Sequence, residues 1–242
     1  MNLNILKNNK SILLPLFVAI VWMPILIFDS KYFESNYFDG GFITNIIVIF
    51  ITLYLIWAVP LRLKILMIIM IPFSWFGEYI FCVILKMYHY RGATIPLYVP
   101  FGHAGVFAVG WLFTQRSIAT SNPEKFKRIS IWFYIISFSF VIFYLKDNLA
   151  IILGILFFLT LKRKKFLPFY LMMGFVVLYL ELVGTYLGAW TWHRKQGIFT
   201  TTNPPIGIIF FYIGADILLG KITKLLLKAR RKLKRRLQLA TD

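Results

Sequence analysis

Apolar stretches recur along the chain at about 11–28, 42–60, 65–86, 97–114, 129–145, 149–161, 166–190 and 205–220, separated by short polar segments. A helix needs ~20 residues to cross ~30 Å of hydrocarbon, so the pattern predicts about eight transmembrane helices and no soluble domain. Two stretches are short. "LAIILGILFFLTL" at 149–161 has 13 residues and would reach only ~20 Å as a helix. Residues 129–161 therefore read either as two full spans or as a re-entrant hairpin that leaves six crossings. The first stretch has a positive start and an apolar body, like a signal peptide, but no small-residue cleavage site follows "IFDSKYFES". It is expected to be a retained helix.

Composition agrees with the pattern. Of the 242 residues 60% are hydrophobic and 15% charged, and the mean hydropathy is +0.75, too little polar surface for a water-soluble fold. The single cysteine, Cys82, excludes an internal disulfide and a multi-cysteine metal site. The net charge of +18 suggests nucleic acid until the charges are placed. Of the 27 Lys and Arg residues, 21 fall on one side of the predicted spans: Lys7, Lys10, Arg62, Lys64, four from Arg116 to Arg128, "KRKK" at 162–165, and nine between Lys221 and Arg236. Lys31, Lys86, Arg91, Lys146, Arg194 and Lys195 fall on the other. The positive-inside rule then places both termini in the cytoplasm, in a bacterial cytoplasmic membrane. The tail "KITKLLLKARRKLKRRLQL" is expected to continue the last helix along an anionic leaflet. Membrane lipids account for its charge without a nucleic-acid partner, and a homo-oligomer is allowed.

The two halves resemble each other. Residues 78–102, "EYIFCVILKMYHYRGATIPLYVPFG", and 181–207, "ELVGTYLGAWTWHRKQGIFTTTNPPIG", share one order of features. Each has an embedded Glu, an aromatic pair one residue apart, an Arg, a polar loop and a Pro-x-Gly that opens the next helix. The expected architecture is an all-α polytopic membrane protein built as two parallel four-helix repeats, 1–128 and 129–220, followed by a basic tail at 221–242.

Candidate chemistry follows from what is out of place in lipid. Glu78 and Glu181 lie 14 and 16 residues beyond Lys64 and Lys165, ~21 and ~24 Å along a helix, in the outer half of the bilayer. A charge at mid-membrane costs about 2.5–3.5 kcal/mol or more, so intramembrane acids usually face an interior site. Glu181, Thr185, Gly188 and Trp192 would share one helical face, as would Glu78, Cys82, Leu85 and His89. Gly184 and Gly188 would admit another helix or a flat ligand. The expected catalytic groups are Glu181 and Glu78 as acid and base, with His103 as proton shuttle. The expected substrate-binding groups are Trp75, Tyr88, Tyr90, Arg91, Thr185, Trp190, Trp192, Arg194 and Asn203. The aromatic pairs read equally as interfacial anchors or as cavity walls that steady a cation. In the alternative, purely structural role each Glu would bond to Arg91, Arg194 or a neighbouring carbonyl. Asp216, five residues before Lys221, reads as a boundary residue or a participant in equal measure. His89, His103 and His193 lack a metal-ligand spacing, and neither metal nor cofactor is expected.

The stretch "ELVGTYLGAW", its W-x-aromatic step and the following loop resemble polytopic carotenoid-biosynthesis membrane proteins of the hydratase type. They resemble, more distantly, the heterodimer-type lycopene cyclases. "IPLYVPFGHAG" is also similar to uncharacterised bacterial integral membrane proteins. The resemblance covers about residues 174–212 and, less closely, 75–107. It implies acid chemistry on an isoprenoid, in which a carboxylic acid protonates an alkene and water or ring closure quenches the cation. Where the cyclases carry a pair of glutamates just after the proline, this chain has Ile206 and Gly207, which counts against cyclisation. The leading expectation is an intramembrane enzyme hydrating or isomerising an isoprenoid, carotenoid or other lipid. Against it stand a transporter coupling protons or cations through the paired glutamates, and a non-catalytic membrane subunit.

Overall fold

A computed structural model describes residues 24–116 and 118–241, with side chains at 116, 118, 120 and from 230 onward left aside. The chain is helical almost throughout. After a helical stretch at 24–28 come α1 (Lys31–Asn36), α2 (Gly41–Ala58), α3 (Leu61–Glu78) and α4 (Tyr98–Arg116). They are followed by α5 (Ile118–Ser121), α6 (Pro123–Phe143), α7 (Leu149–Arg163), α8 (Pro168–Leu187) and α9 (Ile208–Thr241). Four short strands complete the fold: β1 (Tyr88–Tyr90), β2 (Trp190–Trp192), β3 (Lys195–Gln196) and β4 (Phe199–Thr200).

Four helices among the described residues are long and apolar enough to cross a membrane: Gly41–Ala58, Leu61–Ile84, Pro123–Phe143 and Pro168–Leu187. Their outward faces carry exposed large apolar side chains such as Phe50, Trp57, Ile136 and Phe140. Such a surface is untenable in water and natural against lipid. The chain is an all-α integral membrane protein. Most of the expected first span, with Lys7 and Lys10, lies outside the described residues. The 129–145 stretch belongs to a 21-residue helix that starts at Pro123, longer than the hydropathy pattern suggested. Asn122 extends it backward, its side chain accepting from the Lys125 N–H ahead of Pro123. The basic tail prolongs α9 without a break to Thr241.

The helices pack reciprocally. α4 packs against α2 and α3, and α9 against α7 and α8. Across the halves α4 meets α8 while α9 meets α3. Tyr134, Phe157, Met67 and Leu171 are among the most deeply buried side chains, and the Tyr134 hydroxyl is satisfied by the Leu171 carbonyl at 2.6 Å.

Between the helices the chain makes a feature that hydropathy does not foresee. β1 and β2 pair antiparallel, in the register Tyr88 with Trp192, His89 with Thr191 and Tyr90 with Trp190. Both strands alternate, with their aromatic residues buried. This ribbon carries the aromatic pairs of the two halves inward, beneath the loops. Next to it, Arg91 ties down the 29–41 segment. Its guanidinium pairs with Asp29 at 2.7 Å, with Glu34 at 2.7 Å and with Asp39, and its backbone N–H reaches the Ala189 carbonyl. Burial draws the Asp29 carboxyl above its ordinary range even though Arg91 and Tyr98 donate to it. Asp39 is held below that range by the Gly41 N–H and by Arg91.

Candidate functional site: a carboxylate and aromatic cavity

Each glutamate is set by a local break in its helix. Glu78 closes α3, and the next six residues, Tyr79–Ile84, wind as a π-helix in which the Leu85 N–H reaches back to the Ile80 carbonyl. Such bulges re-aim side chains and recur at functional positions. Here the wider turn releases the chain into β1. In the second half α8 ends at Leu187, and Gly188 adopts φ +71° as its left-handed cap, which favours glycine. The Ala189 N–H then bonds the Gly184 carbonyl, and the chain turns into β2. Trp192 is thus on a strand, so the expected shared helical face of Glu181, Thr185, Gly188 and Trp192 does not form.

Gly184 has its own reason to be glycine. A methyl group there would stand 2.0 Å from the Trp190 ring. The flat group that packs on this small-residue face is therefore the chain's own indole. Gly184→Ala is expected to lower stability by about 1–3 kcal/mol, read as a fall in the thermal unfolding midpoint of the purified protein.

The ribbon delivers donors to both acids. Tyr88 and Tyr90 hydroxyls donate to Glu78 Oε2, the latter at 2.5 Å, and His103 Nε2 lies 2.9 Å from Oε1. The indole N–H groups of Trp190 and Trp192 donate to Glu181 Oε2 at 2.9 and 3.0 Å, and the Tyr212 hydroxyl stands 3.2 Å from Oε1. The His103 and Tyr212 rings stack, 5.2 Å apart at 13°. Two buried carboxylates are thereby joined through an imidazole and a phenol. An indole can only donate, so Glu181 Oε2 is committed as an acceptor. Oε1 accepts from the Tyr212 hydroxyl, a group that both donates and accepts, so the contact can be kept whether or not Oε1 carries a proton.

Both glutamates line one cavity of about 460 Å³, together with His103, Tyr88, Tyr90, Trp190, Trp192, Tyr212 and Asp216. Small-molecule sites occupy about 300–1,000 Å³. The wall runs from Met70 to Glu78 on α3, from Tyr98 to Val106 on α4 and from Ile208 to Leu218 on α9, which is ~12–15 Å of helix. Gly77, Gly102 and Gly214 line it too, and a Cβ added at any of them meets no atom within 4 Å.

The expected substrate-binding residues divide. Tyr88, Tyr90, Trp190 and Trp192 are in the wall. Trp75 is not: it is exposed, stacked on Tyr79, because the lining residues Met70, Phe73, Ser74 and Gly77 lie on the other side of Glu78 round α3. Arg91 serves the 29–41 segment instead of either glutamate. Thr185 folds its hydroxyl back onto the Glu181 carbonyl at 2.6 Å. Arg194 is exposed, and Asn203 accepts the Trp192 backbone N–H at 3.0 Å, so it holds the ribbon without reaching the cavity. Asp216 does line the cavity. It is buried with Oδ2 unpartnered, a condition that costs about 1–3 kcal/mol. Tyr212 was missed. Its signal was the four-residue spacing to Asp216, which puts both on one face of α9. Among the described residues no group of three His, Cys, Asp or Glu could hold a metal.

The chain matches no protein-family model, no curated protein and no solved structure.

Proposed function

We propose that this protein is an intramembrane enzyme that hydrates or isomerises an apolar lipid, an isoprenoid or carotenoid by its resemblance, through acid–base chemistry in the cavity. The observation that carries the proposal is the meeting of two hydrogen-bonded carboxylates in one long, largely apolar cavity. Glu181 Oε1–H protonates an alkene carbon, leaving a cation on its neighbour. Aromatic faces around the cavity steady that cation. Water adds to it and releases a proton to Glu78 and His103, or a proton leaves an adjacent carbon to the same pair. Return of the proton to Glu181 closes the cycle.

The same reading takes the chain as about eight spans in two parallel repeats with both termini cytoplasmic, in a bacterial cytoplasmic membrane. The reciprocal packing of α4 and α9 and the central antiparallel ribbon support a two-fold relation between the halves. The α9 extension would lie on an anionic leaflet. Reciprocal halves around paired acids also suit alternating access, which makes proton- or cation-coupled transport the second reading.

Lipid mass spectrometry separates the two. Cells making the protein are expected to lose one apolar lipid and gain its hydrated or isomerised counterpart. Gly102→Leu, which puts a side chain on the face of α4 that lines the cavity with Tyr98, Val99 and Val106, is expected to abolish that change with the protein still present in the membrane. An unaltered lipid profile, together with gradient-dependent uptake into vesicles, would overturn the enzyme in favour of the transporter.

A further inference from the structure

Asp216 stands one turn beyond Tyr212 on α9, ~6 Å further along the helix, and it lines the same cavity. The other two acids in the wall each have three side-chain partners. Glu78 has Tyr88, Tyr90 and His103, and Glu181 has Trp190, Trp192 and Tyr212. Asp216 is 6% exposed, and its Oδ2 has no hydrogen-bond partner. Buried polar groups are nearly always paired, so an unpaired one in a cavity wall asks for a partner from the ligand.

Two donors could answer, an ammonium or a hydroxyl. An ammonium would need an ionised Asp216 and would carry a second charge into an apolar wall, at a desolvation cost that pairing does not reliably recover. A hydroxyl both donates and accepts, so it suits a carboxyl in either protonation state.

We propose that the cavity takes a lipid alcohol whose hydroxyl hydrogen-bonds to Asp216, with its apolar chain running toward Glu181 and Glu78. The inference rests on the reading of the cavity as a lipid site and adds the class of lipid. The hydroxyl end and the reacting carbon are then separate parts of one molecule, one held at Asp216 and the other presented to Glu181.

The test uses the full chain, purified in detergent, and two radiolabelled probes: a linear isoprenoid alcohol and the hydrocarbon of the same skeleton. The wild-type protein is expected to bind the alcohol about five- to tenfold more tightly. Asp216→Leu should erase that preference and leave hydrocarbon binding within about twofold, which also reports that the cavity is intact. Asp216→Asn, which still hydrogen-bonds, should keep most of the preference. Equal binding of the probes by the wild type, binding of neither, or a preference that survives Asp216→Leu would overturn the proposal. Glu181→Gln tells this failure from failure of the proposed chemistry. If it still makes full lipid product while Asp216→Leu erases the preference, the acid chemistry falls and the alcohol site stands. If it abolishes turnover while Asp216→Leu changes nothing, the reverse holds.

Discussion

Glu181→Gln is expected to cut turnover by about 10²–10⁴, the usual worth of a positioned general acid or base, while leaving the protein folded and its cavity open. The hydrogen-bond pattern explains why the two effects separate. Glu181 Oε2 accepts from two indoles, and a glutamine carbonyl can take both. The amide nitrogen then falls where Oε1 stood, facing the Tyr212 hydroxyl, which can accept from it. What glutamine lacks is an acidic proton. Glu78→Gln has the same logic: its carbonyl takes the two phenols, and its amide donates to His103 when the imidazole is neutral. Because the acids act on one cycle, the double variant should be scarcely slower than either single one. Mass spectrometry of the lipid product in membranes with matched protein levels measures all three. Full product from Glu181→Gln would remove the acid from the mechanism.

The halves are alike in frame and unlike in chemistry. With Pro100 set against Pro205, Ile208 stands where the first half has His103, Tyr212 where it has Phe107, and Asp216 where it has Trp111. Each glutamate keeps its own aromatic pair from the ribbon. The imidazole of His103 comes from one half, and Tyr212 and Asp216 on α9 come from the other. If the frame is a repeat, the halves have diverged in the groups that line the cavity, and the proposed acid–base cycle uses them in different roles.

Hydropathy made the helices legible because lipid demands a long apolar run for each. The apolar stretches at 42–60, 65–86, 97–114 and 166–190 coincide with α2, α3 with its π-helical end, α4 and α8 to within a few residues. Glu78 and Glu181 were legible for the opposite reason, as charges where lipid tolerates none. The contacts between halves were hidden. Three-residue strands have too little pattern to stand out, and "YHY" and "WTW" read as interfacial anchors until their pairing is seen. Tyr212 sat unremarked in an apolar run. Arg91 reads in the sequence as a substrate-binding group or, in a structural role, a counter-ion for a glutamate, whereas its partners Asp29, Glu34 and Asp39 lie some fifty to sixty residues earlier in the polar stretch before α2.

That reassignment carries the second large effect: Arg91→Met is expected to destabilise the protein by about 3–5 kcal/mol, the cost of stranding a buried charge. The three ion pairs are unequal. Asp39 and Glu34 side chains are 68% and 46% exposed, and exposed pairs are worth about 0–1 kcal/mol each, so water replaces Arg91 there at little cost. Asp29 is different. Its side chain is 5% exposed, and without the guanidinium it keeps only the Tyr98 hydroxyl, at 2.7 Å. The 29–41 segment would lose its anchor to β1, while Glu78, Glu181 and their donors stay in place. The discriminating measurement is a double-variant cycle followed by thermal unfolding in detergent. Arg91→Met with Asp29→Asn removes both charges and should recover most of the loss, whereas Arg91→Met with Asp39→Asn should recover little. Equal or greater recovery with Asp39→Asn would show that the loss does not come from the buried Asp29 pair.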